Sequence, residues 1–217
     1  MTNEKYTAIF EEGRFYHVYS RSNNGESIFS NDENYRYFLQ QFDKYLSNFL
    51  TVYAYCLLNN HVHFLVKIKE INKDEVFVER VNTLVKEFEK KKKIDKNVVN
   101  EAVGGQFRNF FISYAMSFNK QEGRTGNLFH RPFKRILITS DSYFSTSIAY
   151  IHCNPNKHKI GDFESYKWSS YQRILHPSQT KLAKKEVIDW FGDVESYKKF
   201  HKDYSDDLLD RDFWLEE

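Results

Sequence analysis

The 217-residue chain has few of the residues that break or cross-link a polypeptide: three prolines, eight glycines and two cysteines. Cys56 and Cys153 lie far apart in sequence, so they do not make the disulfide framework of a small secreted domain. The chain also contains no internal repeat and no low-complexity linker. Its length therefore suits one sizeable domain with a proper core, or one domain with a small appendage.

Long hydrophobic runs and targeting signals are also missing. No apolar run approaches the length of a membrane span. The N-terminal stretch MTNEKYTAIFEEGRFYHV lacks the basic-then-apolar pattern of a signal peptide. Together with the two unpaired thiols, these absences predict a cytoplasmic protein with reduced cysteines that does not bind membranes.

Charge is nearly balanced overall, at a formal +2, but it is unevenly distributed. Residues 205–217 contain six acidic residues and one arginine, which leaves the rest of the chain basic. Basic residues concentrate in 90–96, where a solvated helix end explains them, and in 120–135. The second segment mixes Arg and Lys with Phe and His, a composition that binds phosphates and stacks bases, although an ordinary surface loop fits it too.

Hydrophobic periodicity divides the chain into strands and helices. Strands are predicted at 14–22, 50–58, 61–68 and 133–139, and helices at 31–49, 74–92, 105–120 and 140–154. Pro155 is expected to end the last of these helices. The resulting order predicts an α+β fold in which helices pack on one face of an antiparallel sheet. The pattern over 182–204 predicts two short helices, broken at Gly192, that form an appendage.

The segment 59–66, NNHVHFLV, places two histidines one residue apart in a predicted strand. Side chains at i and i+2 of a strand point to the same face, so His61 and His63 would form a bidentate site for a divalent ion. A chain with eight histidines produces such a spacing by chance often enough that two polar strand residues stay an alternative.

Two tyrosines are candidates for a nucleophile. Tyr114 lies on the apolar stripe of its helix, where a tyrosine usually belongs to the core. Tyr150 lies beside the stripe of the last helix and four residues before Asn154, so the two side chains share one helix face. A hydroxyl next to an amide oxygen, brought over two histidines, would combine a nucleophile with a third metal ligand. The alternative is that Asn154 merely ends the helix before Pro155.

The chain resembles a known family through several motifs at once. The segment AYCLLNNHVHFLV is similar to the histidine–hydrophobic–histidine (HUH) motif of single-tyrosine transposases. The segments FYHVYSRSNNGESIF, GRTGNLFHRPFKR, AYIHCNPNKHKI and WSSY resemble the REP-associated tyrosine transposases and their insertion-sequence relatives. The resemblance runs from Phe15 to Tyr171, which predicts a transposase domain over 1–178 and a helical, acidic extension over 179–217.

This resemblance implies a ferredoxin-like or RRM-like sheet and DNA recombination by transposition. The implied partner is single-stranded DNA carrying a hairpin, bound by a monomer or homodimer associated with the nucleoid. Tyr150 would be the nucleophile, forming a 5′-phosphotyrosine, and His61, His63 and Asn154 would bind Mg²⁺ or Mn²⁺. The candidate DNA contacts are the backbone-following cations and one base-stacking ring of the basic segment: Arg124, Arg131, Lys134, Arg135 and Phe129.

Three other functions stay open. A non-catalytic RRM-like protein would bind nucleic acid without a metal and would form no covalent adduct. A metal-dependent hydrolase or zinc protein would add Cys56 or Cys153 to the histidines. A replication or relaxase-type HUH nuclease would share the chemistry, but those enzymes are usually multi-domain, whereas this chain is compact. Tyr114 stays the alternative nucleophile.

Overall fold

A computed structural model describes residues 6–70, 79, 83 and 98–210 of the chain. Its strands are β1 Phe15–Arg21, β2 Leu50–Leu57, β3 His61–Ile68 and β4 Lys134–Leu137. Its α-helices are α1 Asp32–Leu46, α2 Val98–Gln121, α3 Asp141–Lys157, α4 Tyr171–Leu175, α5 Lys184–Phe191 and α6 Val194–Asp210. The predicted helix over 74–92 lies outside the described residues, apart from positions 79 and 83.

The strands form an antiparallel sheet in the order β2-β3-β1-β4. β2 and β3 are joined through Asn59 and Asn60, and Leu58 N donates to His61 O across this connection at 2.9 Å. In the sheet, Tyr19 of β1 lies opposite His63 on one side and opposite Lys134 on the other. A β-α-β-β-α-β order with β1 and β3 in the centre is that of ferredoxin-like folds, so the predicted α+β class is confirmed.

Helices cover both faces of this sheet, whereas the sequence predicts helices on one face. On β3, Val62, Phe64 and Val66 belong to a core that contains residues of α1 and α2. Leu65, which lies between Phe64 and Val66 and points to the opposite face of the sheet, belongs to a second core with residues of α3, α5 and α6. Successive strand residues point to opposite faces, so the nearly continuous apolar run of β3 requires cover on both sides. The two histidines of β3 share the phase of Leu65 and lie on the α3 side.

Most predicted elements are confirmed to within a few residues. α1 begins after Asn31, whose side chain caps the helix by accepting a hydrogen bond from Asn34 N at 3.1 Å. α2 begins at Val98, before its predicted start at 105, because the buried Val99 and Val103 extend its apolar stripe toward the N-terminus.

α3 continues through Pro155 to Lys157, which corrects the prediction that Pro155 ends it. A proline removes one backbone N–H and crowds the carbonyl four residues earlier. Both effects fall on one carbonyl, that of Ile151, close to the end of α3, so the proline removes a single helical hydrogen bond. Ile160 N then donates to Pro155 O at 2.9 Å. Asn154 therefore keeps a helical backbone, and the helix gains most of another turn.

The C-terminal helices pack against α3. α5 ends before Gly192, whose φ of 95° suits glycine and separates α5 from α6 as predicted. Tyr197 of α6 is fully buried, and its ring stacks on that of Tyr171 with centroids 5.3 Å apart. The appendage therefore contacts the sheet domain, while the boundary between 1–178 and 179–217 stays a prediction. None of the described helices is long and apolar enough to span a bilayer.

A buried hydrogen-bond network joins α6 to α3. His201 Nδ1 donates to Tyr197 O at 2.7 Å, so its Nε2 accepts from His152 Nδ1 at 2.9 Å. His152 Nε2 in turn lies 2.7 Å from Ser170 Oγ, and the Tyr197 hydroxyl lies 3.3 Å from His152 Nδ1. Burial lowers the pKa of His201 to about 4 and that of His152 well below its usual range. Both imidazoles are neutral in the folded protein at pH 7.

Acidification is therefore expected to destabilise the fold through His201. Unfolded His201 has a pKa of about 6.5, so between that pH and about 4 only the unfolded chain binds the proton. The stabilising contribution is complete above pH 6.5 and is lost as the pH falls toward 4, by up to about 3 kcal/mol. Denaturant unfolding at pH 7.5, 6 and 5 measures the loss. His201→Gln should flatten this dependence, whereas His176→Gln, at an exposed histidine, should not; equal slopes in both variants would contradict the expectation.

Candidate active site

Three histidines cluster on the α3 side of the sheet where β1 and β3 pair. The ring centroids of His61 and His63 lie 5.0 Å apart, with the planes nearly perpendicular. The His17 ring of β1 lies 5.2 Å from that of His63. The i, i+2 spacing thus brings the two imidazoles of β3 together, and strand pairing adds a third.

Hydrogen bonds orient both imidazoles of β3. His61 Nδ1 donates to Asn60 Oδ1 at 2.6 Å, which places the ring's lone pair on Nε2. His63 Nδ1 shares a 3.0 Å hydrogen bond with His17 Nε2. Contacts of this kind at the other ring nitrogen are typical of metal-ligating histidines. Burial, reinforced by neighbouring imidazole and ammonium groups, lowers the pKa of His63 well below its usual range, so this imidazole is neutral, as a ligand must be.

α3 carries the candidate nucleophile to these histidines. The Ser140 side chain caps the first turn of the helix by accepting a hydrogen bond from Tyr143 N at 3.2 Å. Two turns from its end, the Tyr150 ring lies 5.9 Å from that of His63 and 5.8 Å from that of His17. Tyr150 is 1% exposed, so its ring faces the histidines and also forms one side of the site.

Asn154 is fully buried one turn beyond Tyr150, and its amide is only partly satisfied. Its Nδ2 donates to Tyr150 O at 2.8 Å. Within the described part of the chain nothing donates to its Oδ1, although that oxygen is buried. A buried acceptor left in this state costs about 1–3 kcal/mol, a cost that a bound cation would offset.

The last turn of α3 places Asn154 between two histidine contacts. His158, which follows α3, has its ring 4.6 Å from that of His61. Tyr150, one turn before Asn154, lies beside His63. Asn154 therefore lies between Tyr150, which contacts His63, and His158, which contacts His61. This arrangement requires that the helix continue through Pro155.

Lys157 contacts the candidate nucleophile directly. Its Nζ donates to the Tyr150 hydroxyl at 3.2 Å and lies 4.8 Å from the ring centroid. An ammonium group stabilises a phenolate oxygen more than a neutral hydroxyl, through a charge-assisted hydrogen bond. Lys157 was not predicted from the sequence, although its spacing of seven residues from Tyr150 is two helical turns. His17 was not predicted either, because only the strand register brings it beside His63.

Among the described residues, no group of three His, Cys, Asp or Glu side chains is placed to hold a metal ion. The candidate ligands are instead two imidazoles and one amide oxygen, a set that leaves coordination positions for water and phosphate. Cys56 lies opposite His63 in the β2–β3 pairing, yet neither it nor Cys153 forms such a group with the histidines in the described part of the chain. Cys153 Sγ also lies 3.6 Å from His201 O, away in the α6 contact. These features disfavour the zinc–thiolate alternative.

Part of the basic segment belongs to the core. Phe129 is 5% exposed and packs against Phe111 with ring centroids 4.9 Å apart, so most of its ring belongs to the core, and base stacking by this ring stays a prediction. The Arg135 guanidinium lies 4.8 Å over the Phe10 ring and donates to Ala8 O at 2.5 Å. Burial lowers the pKa of Arg135. Arg135 thus ties the N-terminal segment to the sheet, a role that composition alone did not indicate.

The other predicted DNA contacts lie nearer the surface. Arg124 forms an ion pair with Glu26, which fixes the loop after α2. Arg131 is exposed. Lys134 Nζ lies 5.6 Å over the Tyr19 ring, and its pairing with Tyr19 places it on the face that carries the histidines. Arg131 and Lys134 are therefore positioned to reach a DNA backbone, whereas Arg124 already has a carboxylate partner.

Tyr114 is not at this site. It lies in the core between α1 and α2, on the other face of the sheet. Its hydroxyl donates to Ile28 O at 2.5 Å, and burial raises its pKa far above the usual value. The structure thus brings Tyr150, and not Tyr114, to the histidines.

Comparisons with known proteins extend the description of the fold. No protein-family model and no curated protein sequence matches the chain. A solved structure, described as a REP-associated tyrosine transposase bound to a REP hairpin, is similar to this chain with a TM-score of 0.52 at 14% sequence identity. The similarity covers 77% of this chain and 82% of that chain. At this level of identity, the similarity shows that the two chains share a fold.

Proposed function

We propose that this protein is a metal-dependent transposase that nicks and rejoins single-stranded DNA through Tyr150. The observation that carries the proposal is the position of the Tyr150 side chain, beside His63 and His17 and hydrogen-bonded to Lys157. The fold shared with a tyrosine transposase that was solved with a DNA hairpin supports it. We include a hairpin in the proposed DNA partner and leave the choice between monomer and homodimer to experiment.

His61, His63 and Asn154 fit a divalent cation, either Mg²⁺ or Mn²⁺. The imidazoles are held by Asn60 and His17 through their Nδ1 atoms, and the buried Asn154 oxygen matches the preference of both cations for oxygen ligands. A bound cation would neutralise a non-bridging phosphate oxygen and orient the phosphate for in-line attack. Because imidazole suits Mn²⁺ at least as well as Mg²⁺, both ions belong in any test.

The proposed reaction is a transesterification at phosphorus. The Tyr150 oxygen forms a bond to phosphorus while the bond between phosphorus and the 3′ oxygen breaks. The tyrosine proton is released, and the leaving 3′ oxygen takes up a proton to become a hydroxyl. The DNA then carries a 5′-phosphotyrosine that a 3′-hydroxyl can attack to restore a phosphodiester and free Tyr150. Because the covalent bond conserves the phosphoester, rejoining requires no ATP.

Lys157 supplies the charge that this nucleophile needs. An ordinary tyrosine is ionised to only about 0.1% at pH 7, and Lys157 donates to the hydroxyl that would carry the phenolate charge. Lys157→Met is expected to slow adduct formation about 10²–10³-fold, as for loss of one oriented donor at a developing charge. DNA affinity should change little. Single-turnover rates at saturating DNA measure the first quantity and fluorescence anisotropy the second.

A matched control separates this effect from general loss of positive charge. Lys120→Met removes an exposed lysine from the last turn of α2 and should leave the rate unchanged. Equal rates for Lys157→Met and the parent would show that the ammonium group does not act on Tyr150.

A non-catalytic single-stranded DNA-binding protein is the second candidate, because Tyr150 is 1% exposed. A hydroxyl buried this deeply meets a phosphate only if α3 or its neighbours shift when DNA binds. A binding protein needs no such movement, and it would bind DNA without a metal.

Covalent adduct formation distinguishes the two. The protein is mixed with labelled single-stranded DNA from either side of its own gene, including any hairpin, with Mn²⁺, with Mg²⁺ or with a chelator, and separated on a denaturing gel. The transposase function predicts a labelled band at the mass of protein plus DNA that requires the metal. Metal-independent binding without that band would favour the binding protein.

A further inference from the structure

A cleft separate from the Tyr150 site lies between α2 and the segment 126–135. Its volume is about 360 Å³, within the range of roughly 300–1,000 Å³ that is usual for small-molecule sites. Apolar side chains of α2 form one wall, among them Ile112 and Met116, which are 41% and 68% exposed. Large hydrophobic side chains exposed at a concave site are typical of a ligand-binding surface.

The charged residues of this cleft have one sign. Arg108, Arg131 and Arg135 line it, and no acidic side chain is among its described lining residues. Arg108 and Arg131 are exposed, whereas Arg135 is held over Phe10. The cleft therefore fits a ligand with a flat apolar part and an anionic part.

Ser20 of β1 adds a polar group on the sheet side of the cleft. The residue is 3% exposed, and its hydroxyl has no hydrogen-bond partner within the described part of the chain. Buried hydroxyls are normally paired, since leaving one unpaired costs about 1–3 kcal/mol. A ligand with a hydrogen-bonding edge would satisfy it.

We infer that this cleft binds one unpaired nucleotide of the DNA strand. The base lies against the Ile112 and Met116 wall with one edge toward Ser20, and the flanking phosphates pair with Arg108 and Arg131. An apolar or aromatic surface for the base combined with cations for the backbone is how proteins hold single strands. This inference rests on the proposed function, because that function makes single-stranded DNA the substrate.

β1 connects the cleft to the Tyr150 site. Ser20 and Arg21 are consecutive, so their side chains point to opposite faces of the sheet, and Arg21 lies opposite His61 in the β1–β3 pairing. A strand that passes the end of β1 can thus leave one nucleotide in the cleft and bring a nearby phosphate to the histidines. The cleft would then select the DNA close to the position of cleavage.

Binding of a labelled pool of random single-stranded 20-mers tests the cleft. Met116→Glu places an acid on the apolar wall at an exposed position and is expected to weaken binding about tenfold or more. Val194→Glu adds the same charge at another exposed apolar residue, outside the cleft, and should bind like the parent. Both proteins also carry Tyr150→Phe, so that cleavage does not affect the measurement, and circular dichroism checks that each is folded.

Photocrosslinking gives the position of the base. When 5-iododeoxyuridine replaces thymidine in the same pool, the crosslinked peptides are expected to come from 108–119 or 126–135. Crosslinks confined to other segments, equal affinity of the two glutamate variants, or no binding by the parent would each overturn the inference. Adduct formation is measured separately, in protein that retains Tyr150. If the adduct forms but DNA binding does not depend on the cleft, only the inference about the cleft is rejected. If DNA binding depends on the cleft but no adduct forms, only the transposase function is rejected.

Discussion

Tyr150→Phe is expected to abolish the covalent protein–DNA adduct and to reduce nicking at least about a thousandfold, as for loss of a catalytic nucleophile. The substitution removes the hydroxyl and, with it, the hydrogen bond from Lys157. The ring that packs beside His63 and His17 stays in place, so the free energy of unfolding should change by no more than about 1 kcal/mol. A denaturing gel measures the adduct, and denaturant unfolding measures stability.

Tyr114→Phe is the matched control for that substitution. It removes a buried hydroxyl that donates to Ile28 O, and it should cost about 1 kcal/mol of stability while the adduct persists. An adduct that survives in Tyr150→Phe and disappears in Tyr114→Phe would identify Tyr114, in the core beside α1 and α2, as the nucleophile.

His61→Ala is expected to remove metal binding and adduct formation together. A cation bound to the native state at one hundred times its dissociation constant stabilises the fold by about 2.7 kcal/mol, so Mn²⁺ should raise the melting temperature of the parent and not of this variant. His61 is the better choice than His63, because His63 is fully buried and its removal would leave a cavity. Thermal unfolding with and without Mn²⁺ gives the readout independently of activity.

Two further variants make the metal test specific. His130→Ala removes an exposed histidine of the basic segment and should keep the full Mn²⁺ effect. Asn154→Ala removes the buried oxygen that lacks a donor among the described residues, so it should reduce the Mn²⁺ effect as His61→Ala does. A full Mn²⁺ effect in Asn154→Ala would remove Asn154 from the ligand set, and a full effect in His61→Ala would place the ion elsewhere.

Local patterns predicted the parts of the site that depend on one element. The i, i+2 rule places His61 and His63 on one face of β3, and the i, i+4 rule places Tyr150 and Asn154 on one face of α3. Each rule depends only on the side-chain periodicity of a single strand or helix. His17 follows no such rule, because its neighbour His63 comes from a different strand and the β1–β3 register decides the contact.

Tertiary packing decided the features that local sequence patterns did not show. Pro155 disfavours a helical neighbour, yet Asn154 and Pro155 are both buried and the helix continues through them to Lys157. Phe129 and Arg135 have the composition of a DNA-binding loop, and a loop has no periodicity that separates buried from exposed positions. The apolar run of β3 indicates that both faces are covered, but the helices that cover the second face are decided by the packing of α3 with the C-terminal helices.

The most direct single measurement is the identity of the residue that carries the DNA. The protein is reacted with single-stranded DNA in Mn²⁺, digested with trypsin and nuclease, and analysed by tandem mass spectrometry for a tyrosine that retains a 5′-linked nucleotide. A modified peptide from α3 with the nucleotide on Tyr150 is the predicted result. A nucleotide on any other residue, or binding of the same DNA with no modified peptide in either metal, would contradict it.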